Sequence, residues 1–208
     1  MLLRLIIWLL LTGVMIAPVQ AQDIDPALTE ARAVFLRGVD GEKRAVRDAT
    51  QRFRSLSMAH PQEPVYQAYL GACITLQGRD ASNNLDKRRI TEEGLGKIDQ
   101  ALEMLPNSAD QASPHSLDTL LVAANSFIHI PSFFNRHDKG KRLLQQILAD
   151  RGFDGMAAGF KAATYLAAAL VAHGENDDVS YRRYLDLAVS TDPEGRDGRF
   201  ASTLLKDL

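Results

Sequence analysis

The segment GLGKIDQALEMLP, residues 94 to 106, sets a glycine, then an isoleucine four residues on, an alanine three later and a proline five after that. Gly94, Ile98 and Ala101 fall at the spacing that brings side chains onto one face of a helix, and Pro106 lacks the amide hydrogen needed to continue one. The same pattern returns with Ala49, Phe53, Leu56 and Pro61, with Gly140, Leu144, Ile147 and Gly152, and with Tyr181, Leu185, Ala188 and Pro193. The four copies stand at intervals of 45, 46 and 41 residues. A helix and its breaker, repeated four times, predict a chain built from one supersecondary unit used again and again.

Working outward from these second helices, apolar residues continue at three- and four-residue spacing from Asp25 onward, and no long alternating β-branched run interrupts them. The expected fold class is all-α. Asp25-Pro26 is a helix start, with an acceptor side chain at the cap and proline in the first turn. Helices are predicted over residues 26–37, 42–58, 64–76, 91–105, 115–128, 139–149, 156–173 and 179–190, with a short closing helix over 199–206. Gly78 is read as a stop, and the polar stretch DASNNLDKRR as a surface loop filling residues 79–90.

These residues resemble the tetratricopeptide repeat family. Leu70-Gly71, Ile74 and Gly78 match the first helix of one repeat, and Gly94, Ile98, Ala101 and Pro106 its second. In the last repeat Ala167 and Gly174 stand where glycines are usual, followed by Leu185, Ala188 and Pro193. The intervals exceed the family's 34 residues, an excess assigned to loops such as residues 81–89, and the family's first-helix tryptophan and tyrosine are missing. The resemblance implies an α-solenoid of about four antiparallel helix pairs occupying residues 22–208.

It also implies a concave face lined by first helices, which in register holds Val65, Ala68, Ala72 and Leu76, then Leu121, Asn125, Ile128 and His129, then Thr164, Ala168 and Val171. That face is small and apolar. Family members that grip a peptide carboxylate line it with lysine, arginine and asparagine, so an apolar ligand or amphipathic segment is expected instead. Beside it, IPSFFNR, residues 130 to 136, sets Phe133 and Phe134 in the turn between two helices. Either they fold back to plug the seam between helix pairs, or one is displayed as an anchor. The expectation is one ring buried and the other at the edge of the groove.

The chain opens with Arg4, an apolar run from Leu5 to Ala17, and Val19-Gln20-Ala21 as a cleavage-type site. This reads as a secretory signal peptide over residues 1–21. The run is shorter than the roughly 20 residues that span a bilayer, and Gln22 rather than cysteine follows the cut, so neither a permanent anchor nor a lipoprotein is predicted. The expected location is periplasmic or secreted. Loss of Arg4 moves the formal charge from −2 to −3, which leaves no basic excess for nucleic acid or an anionic membrane surface. Membrane association would come only through a partner. Cys73, the single cysteine, lies in the apolar stretch LGACITL and is read as a buried hydrophobe.

Catalytic patterns are weak. His115, Ser116 and Asp118 follow Pro114 and read as helix-capping polar residues, with no GxSxG elbow to present a serine. His129, His137 and Asp138 match no metal-ligand spacing, and Gly71 and Gly78 are followed by no GK[ST]. No catalytic residue, metal or cofactor is assigned. The chain is expected to be an exported, non-catalytic interaction module, an adaptor or scaffold for a protein or peptide in the envelope. The alternative is a carrier that holds a small apolar ligand or lipid in the groove.

Overall fold

The computed structural model describes residues 25–106 and 112–208; the predicted signal peptide lies outside them. The described residues form nine α-helices and no strand: α1 (Pro26–Val39), α2 (Lys43–Ala59), α3 (Pro64–Asp80), α4 (Asn84–Glu103), α5 (Pro114–Ile128), α6 (His137–Ala149), α7 (Ala158–Gly174), α8 (Asp178–Thr191) and α9 (Arg196–Lys206). The fold is all-α. Short 3-10 turns at Ser132–Phe134 and Phe153–Gly155 precede α6 and α7.

Local chemistry explains where several helices begin. Asp25 accepts from the Ala27 amide at 2.9 Å, Asn83 from Asp86 at 2.9 Å, Ser113 from Ser116 at 3.1 Å and Asp177 from Ser180 at 3.0 Å. Each contact satisfies a first-turn amide that has no partner inside its helix. Pro26, Pro64 and Pro114 occupy the first helical position, where a missing amide costs nothing.

Two expectations need correction. The stretch 79–90 is not a loop: α3 runs on to Asp80, and α4 starts at Asn84, so the four residues Asp86 to Arg89 are helical. Between Ala49 and Gly94 the extra length relative to a 34-residue repeat goes into the long helices α3 and α4, whereas between Gly94 and Gly140 it lies in the connections on either side of α5. Gly78 does not stop α3, because its role is close approach; a Cβ there would meet the Thr91 hydroxyl and amide of α4. The pair Gly71 and Gly94 does the same further along, with a Cβ on Gly94 falling 2.6 Å from the Gly71 carbonyl. Gly155 and Gly159, by contrast, mark no close approach: Gly155 has open space beside it and Gly159 meets only the Asp192 carboxylate at 3.4 Å.

Each helix packs against the next in sequence, most extensively α3 on α4 and α7 on α8, while α1 also touches α3, α3 touches α5 and α5 touches α7. Phe53, Ile98, Leu144 and Leu185, which share a register in the sequence, are all buried. A principal core runs from Leu28 of α1 to Val171 of α7, and a smaller one joins α7, α8 and α9. Within the first, Phe53 stacks on Tyr69 at 4.6 Å and Phe35 meets Tyr69 edge-on at 5.3 Å, tying α1, α2 and α3 together. Such aromatic pairs contribute about 0.5–1.5 kcal/mol each beyond their burial. α9 lies on α7 and α8 and returns the chain's end toward α1.

Candidate functional site

The sides of α1, α3, α5 and α7 that face one another border a partly open cavity of about 1570 Å³. Its position follows from the packing order: the odd-numbered helices stand side by side, while α2, α6 and α8 supply none of its lining. Ala72 and Leu76 of α3, Leu121 and Val122 of α5, and Ala163 and Leu166 of α7 form apolar wall. Phe35, Leu36 and Val39 of α1 close one side, and Phe200 of α9, half exposed, closes another. The turn after α5 contributes Phe133 and Phe134, whose ring centroids are 4.3 Å apart. Phe134 packs on the principal core, whereas Phe133 is 61% exposed.

The acidic groups of the lining are all engaged. Asp118 on the wall receives a hydrogen bond from the Tyr69 hydroxyl at 3.2 Å and an ion pair from Arg32 of α1. Burial pushes the Asp118 carboxyl above the usual carboxylate range, against the opposing pull of Arg32 and Tyr69. The Tyr69 hydroxyl is held well above the ordinary phenol by burial and by Asp118. The buried Arg32 Nε has no hydrogen-bond partner among the described residues. Asp118 therefore does not cap a helix, as its place after Pro114 suggested; Ser113 does that, and Asp118 ties α5 to α1 and α3.

At the rim, Arg79 donates to the Gly38 and Val39 carbonyls at 3.0 and 3.2 Å, satisfying the open end of α1, and pairs with Asp80 at 2.8 Å. Arg196 spans the chain, bonding Asp40 at 2.7 Å and its neighbour Asp197 at 2.8 Å. Burial raises the Asp197 carboxyl, partly offset by Arg196. On α4, Asn84, Lys87, Arg88 and Thr91 face the cavity, spaced as one helical stripe. Arg88 pairs with Glu92 at 3.0 Å, and Lys87 makes no ion pair among the described residues.

The predicted groove divides in two. Ala72, Leu76, Leu121, Asn125, His129, Phe133 and Phe134 line this cavity. Val65, Ala68, Thr164, Ala168 and Val171 do not; they are buried between helices, because the first helices are covered on more than one side. Ile128 is half-buried, turned toward Gly140 of α6. His129 uses its Nδ1 on the Asn125 carbonyl at 2.8 Å.

The α4 stripe was missed because its residues were assigned to a loop. Its three- and four-residue spacing was the signal that could have revealed it. The Arg196–Asp40 contact joins residues 156 apart and has no local signature. No family model, curated protein or solved structure matches the chain.

Proposed function

We propose that this protein is an exported, non-catalytic binding module of tetratricopeptide-like, α-solenoid design, in which consecutive helix pairs stack and their first helices hold the bound partner. The observation that supports this best is the cavity walled by α1, α3, α5 and α7, the first members of successive pairs in the sequence pattern. Its apolar lining, with acids already engaged, fits the apolar face of a protein or peptide segment in the envelope. Phe133, exposed at the cavity, is the natural anchor. The signal peptide over residues 1–21 supports a periplasmic or secreted location.

One observation favours a second reading, a carrier of a small apolar molecule. Phe200, Arg196 and Asp197 of α9 add a wall that an open peptide groove does not need. The volume of about 1570 Å³ also exceeds the roughly 300–1000 Å³ of ordinary small-ligand pockets, leaving room for a long hydrocarbon.

Cross-linking and native mass spectrometry on the protein isolated gently from its own compartment test both readings. The interaction module predicts cross-links from a single partner to Lys87, the lysine at the cavity, and a mature N-terminus at Gln22. A stoichiometric small-molecule adduct with no partner would transfer the proposal to the carrier. An intact N-terminus on protein recovered from the cytoplasm would remove the exported role.

A further inference from the structure

Charge accounting around the cavity separates the ligands it can accept. Three carboxylates reach the lining. Asp118 is held by Arg32 and Tyr69, while Asp40 and Asp197 both hold Arg196. An incoming cation would have to break one of these pairs. Arg79 is likewise occupied by Asp80 and by the end of α1. Lys87 alone among the lining cations has no ion-pair partner among the described residues, and its neighbour Arg88 is held only by an exposed i,i+4 pair with Glu92. Such exposed pairs contribute little, so Arg88 is readily released to a stronger acceptor. The free positive charge lies on α4, and the lining that α1, α5 and α7 contribute carries no lysine or arginine.

We infer that the cavity binds an amphiphilic anion, a long hydrocarbon chain lying against the apolar walls with a carboxylate or phosphate head at Lys87 and Arg88. The inference rests on the carrier reading and names its ligand class. The chain supplies most of the binding, through removal of apolar surface from water at about 25 cal/mol per Å². The head sets orientation: only at α4 does it meet a lysine or arginine that is free or weakly held, whereas beside Phe133 and Phe134 the lining holds neither. A neutral head forgoes the charge contact, and an ammonium head meets Lys87 as a like charge.

The full chain, stripped of bound lipid, is titrated with fluorescent cis-parinaric acid, which is then displaced by oleate, oleyl alcohol or oleylamine, three ligands with one chain and different heads. Oleate is expected to displace at one per protein and about tenfold more tightly than oleylamine, equivalent to about 1.4 kcal/mol. Lys87→Glu should reverse the order of oleate and oleylamine while leaving oleyl alcohol unchanged. Lys87 is exposed, and a melting curve equal to the wild type confirms that the variant folds. Lysophosphatidate matching oleate would assign the site to anionic heads in general, and weaker displacement would assign it to carboxylates; both support the inference. Equal binding of all three heads, or no change in Lys87→Glu, overturns the head site while the carrier reading stands. Failure of every ligand, with an acidic amphipathic peptide binding instead, removes both.

Discussion

The two cores of the molecule are built from different materials. The one shared by α1 to α7 contains Phe53, Tyr69, Phe127 and Phe153 and several branched aliphatics, drawn from every helix in that stretch. The one joining α7, α8 and α9 has seven buried members, of which Ala169, Ala172, Ala188 and Ala201 are alanines. Alanine lets helices approach closely but removes little apolar surface from water. The difference places the cavity between a firm frame and a weaker closing wall. The walls from α1, α3 and α5 belong to the frame, whereas α9 rests on the small cluster and on the Arg196–Asp40 bridge. Elements with few buried contacts are the first to open locally.

The strongest way to break the contrast is Phe53→Ala. It removes a fully buried ring and its stack on Tyr69, and is expected to destabilise the whole protein by about 3–5 kcal/mol in urea unfolding. Leu185→Ala removes the largest fully buried side chain of the smaller cluster. Its expected cost is about 2–4 kcal/mol, but felt locally, as faster hydrogen exchange in α8 and α9 with α1 to α4 still protected. Uniform loss of protection in Leu185→Ala would show that the two cores unfold as one.

A smaller effect sharpens the comparison at the wall itself. Arg196→Ala should cost only about 0.2–1 kcal/mol of stability, since its side chain is 42% exposed, yet it should raise exchange across α9. The smallest expected effect belongs to acid. The Tyr66 hydroxyl donates to Asp25 at 2.6 Å, and this hydrogen bond holds the Asp25 carboxyl below the usual carboxylate range. A lowered native pKa stabilises the fold above the unfolded value, near about 3.9, and that contribution disappears as pH falls through the native one. The first turn of α1 should therefore exchange faster below about pH 4, and Tyr66→Phe should weaken the dependence, leaving the part due to the first-turn amides. Cys73 provides a check on the frame. Burial pushes its thiol up to about 12, so a thiol reagent at pH 8 should modify it only after unfolding.

Much of the fold was legible because helices are local. The registers of Phe53, Ile98, Leu144 and Leu185 marked four buried faces, since side chains three and four residues apart share one side of a helix wherever it packs. The error at residues 79–90 has a physical reason. Asp, Asn and Ser favour turns, and here Asn83 caps α4 while the polar residues that follow form its exposed first turns. The site was only half legible. Ala72, Leu76, Leu121 and Asn125 were found by register, but Val65, Ala68 and Ala168 were indistinguishable from them in the sequence, because which side of an apolar helix stays uncovered depends on its neighbours.

Taken alone, the sequence determined the helical class, the helix starts at Asp25-Pro26 and Pro64, and the burial of Cys73. All of these depend on contacts within a few residues or on a stretch apolar throughout. Tertiary structure decided that Gly78 brings α3 against α4 instead of ending α3, that Asp118 is buried with Arg32 and Tyr69, and that α9 returns to Asp40. Those outcomes join residues from 10 or more positions apart, and their energies exist only once the helices have packed side by side.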